Sequence, residues 1–442
     1  MQNSSIVGLN LSVNRFFYQY YFRDNTAEIL GKDTPALLKD RLREYSLPFQ
    51  FGPARSVLVV GAGTGQNVSA ALRAGAESVD ACDIDPVILT VGKKYNPDYS
   101  SPKVHLICDD ARHYFAHCPK SYDIIVFGLL DSQTVAGQGA SIRLDTYVYT
   151  RESFSKALSL LNPKGLVVLS FAASARGPSE RLYATMKDAA GYPPICLADK
   201  QASAWGNFLF LIGDEVRSGR LERNVPQGFL QATIPLSAEA RVLTDDWPYL
   251  YVHPRQLDMP YLAVVAEILL LSLVVGRRTL LQRDSSSHPS DWQLFFLGAA
   301  FLLLELHAIS FLSLLYGSTW QTSAIVINSV LIIILLANVL VMKCSWILSR
   351  QRTIYLLLFA TIAVNVIIPP DRLFATALTS VAAGYLVTTA LTLLPLGIAG
   401  VIFASSISKS ENPARGMAFN LFGALIGGAA GVSVQFHGHQ GT

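Results

Sequence analysis

Gly61-Ala62-Gly63-Thr64-Gly65 follows the apolar run Val57-Leu58-Val59-Val60, and about twenty residues later comes Val79-Asp80-Ala81-Cys82-Asp83-Ile84-Asp85-Pro86. A glycine turn after a buried strand lets the backbone approach a ligand closely. A carboxylate at the tip of the next strand can accept from two ribose hydroxyls. The G-x-G-x-x-G spacing of dinucleotide sites fails because position 66 is Gln. The G-x-G-x-G that remains, with Asp83 and the acidic pair Asp109-Asp110 after a third apolar run, reads as an adenosyl site of the S-adenosylmethionine kind. The residues predicted to hold the nucleoside are Gly61, Gly63, Thr64, Gly65, Asp83, Asp109 and Asp110.

Those residues need a scaffold that presents them together. Strand-like runs at 56–60, 78–83, 103–107, 122–127, 164–171 and 206–212 alternate with helical stretches at 65–75, 86–95 and 151–161. Such alternation predicts an α/β, Rossmann-like, doubly wound and mostly parallel sheet with right-handed crossovers. Before it, residues 1–50 form an aromatic-rich N-terminal segment. Its run Arg15-Phe16-Phe17-Tyr18-Gln19-Tyr20-Tyr21-Phe22-Arg23 suits either a bilayer interface or a face packed on the soluble domain. The nucleoside-binding domain is expected over 51–258, and 259–442 reads as an α-helical transmembrane domain of about six helices. The candidate spans are 259–276, 293–316, 323–342, 354–369, 377–404 (around Pro395) and 416–435.

Composition narrows the function classes. A net charge of +3 without a basic, aromatic-interleaved run argues against nucleic acid. Five cysteines with no C-x-x-C spacing predict neither a disulfide framework nor a metal site, and fit a reducing compartment. The polar start Gln2-Asn3-Ser4-Ser5 predicts no cleavable signal peptide. The apolar second half predicts an integral membrane protein. The positive-inside rule puts the basic loops 277–283, 343–352 and 409–415 in the cytoplasm, and a crossing at 259–276 would then put the nucleotide domain outside. Cofactor supply requires the opposite, and the catalytic domain is placed in the cytoplasm. Glu305 and His307 lie within an apolar segment, where charge is costly; substrate contact and hydrogen bonds to Asn328 or Asn338 both account for them.

Taken in order, Gly61–Gly65, Asp83-Ile84-Asp85, Asp109-Asp110-Ala111-Arg112 and Tyr122-Asp123-Ile124-Ile125-Val126 resemble the spermidine synthases, the polyamine aminopropyltransferases. Leu243-Thr244-Asp245-Asp246-Trp247-Pro248-Tyr249-Leu250-Tyr251, Gly317-Ser318-Thr319-Trp320 and Asn420-Leu421-Phe422-Gly423-Ala424 look like signatures of membrane-integrated bacterial relatives. The resemblance implies a membrane-bound transferase using S-adenosylmethionine or its decarboxylated form, with aminopropyl-type transfer to an amine or polyamine. It implies that Asp83 holds the ribose, Asp110 the adenine amino group, and Gly61 and Gly63 the methionine-derived tail.

Two departures stand out. The family's usual base, an Asp after the fourth strand, aligns with Gly128 here, and the Asp common in its glycine loop is Thr64. A neutral residue at 64 would tolerate the carboxylate of intact S-adenosylmethionine, since like charges in one small site repel. An amine must be deprotonated before it attacks a sulfonium-bound carbon. The replacement candidates are Asp131, then Asp245 and Asp246, whose neighbour Trp247 suits a cationic polyamine. Tyr149 is a further candidate, with Arg143, Asp145 and Tyr147, after the lid-like 137–142 stretch. Membrane attachment adds a lipid headgroup as acceptor and leaves a homo-oligomer open. An ordinary methyltransferase and a non-catalytic nucleoside-binding transporter or sensor are the rival readings.

Overall fold

The computed structural model describes residues 8–13, 16–22, 44–128, 130, 147–172, 176–199, 207–223, 225, 229–234, 236–237, 240–251, 259–281, 289–317, 319–344, 346–367 and 381–437. The chain divides into two compact units, Met1–Pro254 and Arg255–Thr442.

In the first unit the run Val57–Val60 is buried on both sides. Val57 and Val59 enter one apolar cluster, while Leu58 and Val60 enter the other. A strand covered on both faces has no reason to alternate apolar with polar, which explains the unbroken apolar run. The strands are β1 (Gly8–Val13), β2 (Phe16–Phe22), β3 (Ser56–Val60), β4 (Ser78–Asp83), β5 (Val104–Cys108), β6 (Tyr122–Phe127), β7 (Leu161–Ala172), β8 (Ile195–Asp199), β9 (Asn207–Gly213) and β10 (Phe229–Gln231). β1 and β2 form an antiparallel pair, and the other eight form one sheet in the order β10-β8-β9-β7-β6-β3-β4-β5. The five strands β5, β4, β3, β6 and β7 are parallel, and β9, β8 and β10 close one edge antiparallel. The sheet is thus mostly parallel and Rossmann-like, as expected, but β8 and β10 were not foreseen.

Strand order reverses at β3, which lies between β4 and β6, and in open α/β sheets ligands bind at that reversal, beyond the strands' carboxyl ends. Helices α1 (Gln66–Arg73), α2 (Pro86–Tyr95), α3 (Ala111–His117), α4 (Arg151–Ser159) and α5 (Arg176–Ala190) follow β3, β4, β5, β6 and β7. Three of them start on side-chain caps that satisfy first-turn amides: Asp85 for α2, Asp110 for α3 and Thr150 for α4. Asp80, inside β4, is buried under Tyr122 Oη (2.6 Å), Tyr114 Oη (3.1 Å) and Lys120 Nζ (2.8 Å). Burial alone would raise its pKa, but Lys120 and Tyr122 outweigh that and hold it below the usual carboxylate range.

The second unit contains α6 (Met259–Leu281), α7 (Pro289–Tyr316), α8 (Trp320–Lys343), α9 (Gln351–Ile367), α10 (Val381–Ile407) and α11 (Pro413–His437). These fall where the six spans were expected. Only Asp291–Tyr316, Gln321–Lys343 and Ala383–Ile407 are long and apolar enough to cross a bilayer, among the described residues. Leu262–Val274 and Gln351–Ile367 are apolar as well, and α11 carries Gly416, Gly423, Gly427 and Gly428.

Those glycines set the closest approach in the unit. A Cβ on Gly423 would overlap the Phe295 carbonyl, and Asn420 Nδ2 donates to Leu294 O at 2.9 Å, so α7 and α11 meet backbone to backbone. An ion pair between half-buried Arg415 and buried Asp291, at 3.0 Å, joins the starts of the same two helices. α10 runs unbroken through Pro395, which has no N–H to give to the carbonyl of Leu391 four residues before it. Asn365 Nδ2, on α9, donates to that oxygen at 3.1 Å. Asn328 and Asn338 bond their own helix, to Ala324 O and Ile334 O, rather than Glu305 or His307. His307 instead stacks on Phe311, with ring centroids 6.2 Å apart.

Candidate active site

The turn after β3 needs backbone that a side chain would forbid. Gly61, Gly63 and Gly65 have φ of 70°, 56° and 92°. At Gly63 a Cβ would in addition run into the side-chain amide of Gln19. The turn's own amides are all engaged. Gly61 N and Ala62 N donate to Cys82 O at 2.9 and 3.0 Å, and Gly65 N to Ala62 O at 2.9 Å. Gly63 N donates to Asp83 Oδ2 at 2.7 Å, and Thr64 N to Gln19 Oε1 at 3.0 Å. From behind, Tyr99 Oη donates to Gly63 O at 2.8 Å, while Asn96 Nδ2 reaches Thr64 O and Gly65 O at 3.0 and 3.2 Å. The loop is therefore rigid before any ligand arrives.

Asp83, at the tip of β4, accepts from Gly63 N with one oxygen and from Asp85 N at 3.0 Å with the other. It is 4% exposed, and burial raises its pKa against the pull of those two amides. At the tip of β5, Asp110 caps α3 through Oδ1, accepting from Arg112 N and His113 N. Asp109 holds His113 Nδ1 with both oxygens, at 2.9 and 2.7 Å. Gly61–Gly65, Asp83, Asp109 and Asp110 thus lie along the carboxyl ends of neighbouring parallel strands.

The Asp109 hydrogen bond raises the pKa of His113 above its ordinary value, in spite of partial burial. A histidine pKa raised by folding stabilises the fold fully below the unfolded value of about 6.5, and this stabilisation fades as pH rises through the folded value. His113→Gln should therefore lower the melting temperature more at about pH 5.5 than at about pH 9; an equal loss at both would contradict the pairing.

Gly128, where a family base would align, follows β6 with its N bonded to Val60 O at 3.0 Å. A Cβ there would lie 3.2 Å from Gly61 O and 3.3 Å from Val60 O, tighter than side chains normally pack. The position is closed by backbone as well as lacking a carboxylate. Asp131, the first-choice replacement, lies outside the described residues, as do the 137–142 stretch, Arg143 and Asp145.

The other candidates are placed away from a free amine site. Asp245 forms an ion pair with Arg112 and accepts from Thr150 Oγ1 at 2.7 Å. Trp247 is 1% exposed and covered by Arg181 and Arg241, whose guanidinium carbons lie 5.7 and 4.5 Å from its ring centre. The cation–π face read from the sequence is thus occupied by the protein's own arginines. Asp246 is exposed, and Tyr149 is buried edge-on to Phe171 at 6.4 Å.

Sequence reasoning missed Gln19, His113, Asn96 and Tyr99. For His113 the i, i+4 spacing from Asp109 was a usable signal. For Gln19 there was none, since only the folded β1–β2 pair brings it to Thr64, where it accepts from both N and Oγ1 (3.1 Å).

Residues 46–174 match the spermine/spermidine synthase domain. A polyamine aminopropyltransferase of Hyperthermus butylicus is 32% identical over 140 residues, 30% of this chain and 43% of that one. The polyamine aminopropyltransferase of Methanocaldococcus jannaschii is 29% identical over 150 residues, 33% of this chain and 47% of that one. The chain spans less than half the length of the curated relatives it matches. Among solved structures, a spermidine synthase in complex with the transition-state analogue AdoDATO covers 52% of this chain and 75% of its own, at 13% identity and a TM-score of 0.37. The first unit is therefore spermidine synthase-like across the segment that carries the glycine loop, Asp83 and Asp110.

Proposed function

We propose that the chain is a group transferase that moves the three-carbon arm of a sulfonium nucleoside, S-adenosylmethionine or its decarboxylated form, onto an amine such as a polyamine. The observation that carries this reading is the Gly63 N to Asp83 Oδ2 bond of 2.7 Å at the strand-order reversal. It fixes a side-chain-free turn beside a buried carboxylate, which suits an adenosine whose ribose hydroxyls donate to Asp83. The match of residues 46–174 to the spermine/spermidine synthase domain supports the same reading.

The nucleoside would supply an electrophilic carbon already activated by sulfur. The protein has to bind it, align the amine and take up one proton. Gly61 and Gly63 would face its tail, Asp83 the ribose and Asp110 the adenine end. With position 128 closed, Asp131 is the proposed proton acceptor, four residues beyond the end of β6 in the sequence. The helices of the second unit are proposed to embed the protein in a membrane with six crossings, the first unit on the cytoplasmic side, so that a lipid amine headgroup is also an eligible acceptor.

The test is to incubate membranes holding the full chain with each nucleoside and a panel of polyamines and aminolipids, and to weigh the products. Methylthioadenosine release with a matching mass gain on the acceptor supports the reading. S-adenosylhomocysteine release would instead establish a methyltransferase, and intact nucleoside with every acceptor a binding protein.

A further inference from the structure

At one end of the second unit α7, α9 and α11 begin and α8 and α10 finish, and side chains tie these termini together. Gln293 Nε2 donates to Tyr355 Oη at 2.7 Å and to Ser406 Oγ at 3.2 Å, and Lys409 Nζ donates to Leu348 O. Aromatic rings stand here as they do at a bilayer interface: Trp292 and Trp346 are exposed, and Tyr355 is held by Gln293. Between α8 and α9 come Lys343, Arg350 and Arg352, with no acidic residue anywhere in 343–352. All three are exposed, and their side chains have no partner among the described residues.

The carbonyls beside them are already met. Ile347 N donates to Cys344 O, Ser349 Oγ to Trp346 O, Arg350 N to Ile347 O and Lys409 Nζ to Leu348 O. Buried Ile347 shares a cluster with Val341, Ile354 and Leu358, which anchors the helical turn Trp346–Ser349. Near the opposite termini of α7–α10, the described residues 316–317, 319–322, 365–367 and 381–385 include no Asp, Glu, Lys, Arg or His. From the cations two exposed stripes run along the helices. Leu336, Leu340 and Lys343 follow i, i+4, i+7 on α8, and Arg352, Leu356 and Phe359 do so on α9. Each stripe sets hydrocarbon beyond a cation, the order in which a phospholipid presents phosphate and then chains.

We propose that Lys343, Arg350 and Arg352 seat an acidic phospholipid, donating to its headgroup phosphate while its chains lie along the two stripes. This rests on the membrane placement above and names the lipid that it favours. Guanidinium suits phosphate because its parallel N–H groups meet two oxygens at once. A zwitterionic lipid brings its own ammonium into the same space, where like charges repel. Cations clustered at a bilayer surface add their attractions for an anionic lipid.

Native mass spectrometry of the detergent-purified full chain, titrated with equal amounts of phosphatidylglycerol and phosphatidylcholine, tests this without relying on turnover. Phosphatidylglycerol should be retained with a preference of about tenfold or more. Arg350→Gln with Arg352→Gln should remove most of that preference, whereas Arg350→Lys with Arg352→Lys, which keeps the charge, should retain it. Arg277→Gln with Arg278→Gln, which takes equal charge from α6, should retain it too. Equal retention of the two lipids by the unaltered chain overturns the inference. So does a loss that both glutamine pairs share or that neither shows. Displacement of the lipid by inorganic phosphate would make this a site for the free anion and overturn the lipid assignment. A chain that stays in solution without detergent and retains neither lipid overturns the membrane placement as well, which the other failures leave standing.

Discussion

Asp83→Asn should weaken nucleoside binding by about 100-fold while moving the melting temperature by no more than about 4 °C. The binding loss follows from the chemistry of the group: hydrogen bonds to a charged acceptor contribute about 1.5–3 kcal/mol each, and two ribose hydroxyls would lose theirs. The small change in stability follows from two opposed effects. Asn can still accept from Gly63 N or from Asp85 N, but not from both, which costs about 1 kcal/mol or more. Against that, folding raises the pKa of Asp83, because burial disfavours its charge. A carboxyl with a raised folded pKa stabilises the fold below its unfolded value, and that contribution is lost as pH rises through the folded value. Above those values the buried charge is a burden that Asn removes. Titration calorimetry and a melting curve on the same sample check both halves. Binding that survives the substitution would remove Asp83 from the site, and collapse of the fold would make it a structural residue.

The second large effect is expected far from the chemistry. Gly423→Leu should destabilise the α7–α11 contact by more than about 3 kcal/mol, the upper end of ordinary overpacking. Overpacking usually displaces side chains that can turn aside, but here the obstacle is the Phe295 carbonyl, which cannot. The helices would have to part, taking with them the Asn420 bond to Leu294 O and the Asp291–Arg415 pair. Gly400→Ala is the matched control, because its Cβ would meet Ala337 Cβ at an ordinary 3.4 Å. Thermal unfolding in detergent should separate the two variants by many degrees, and equal curves would refute the packing argument.

What could be read from the sequence was what is encoded locally. The passage from an apolar run into a glycine turn and then a helix at 57–73 needs no distant partner, and the same holds for Asp85-Pro86 starting α2. Both sides of β3 are covered, so its pattern is continuous and conspicuous. β10 escaped notice because it is only three residues long and exposes two of them. The site was half legible for the same reason. Asp83 is announced by its place after a strand, whereas Gln19 acts on Thr64 across 45 positions of chain. Asp245, Asp246 and Trp247 show the opposite failure. Read alone they suggest a trap for cations, but Arg112 and Arg181 arrive from elsewhere in the fold and, with the nearby Arg241, occupy Asp245 and Trp247. The apolar helices were located well because hydropathy is additive along the chain.

The amide lent by Asn365 to the carbonyl stranded by Pro395 binds two distant positions to a common fate. If the proline is exchanged for a residue with its own N–H, α10 closes its ladder unaided and the asparagine becomes dispensable. If the asparagine is lost first, an oxygen is left naked among hydrocarbon side chains. Descendants of this sequence should therefore shed the proline before the asparagine, or both together, but not the asparagine alone.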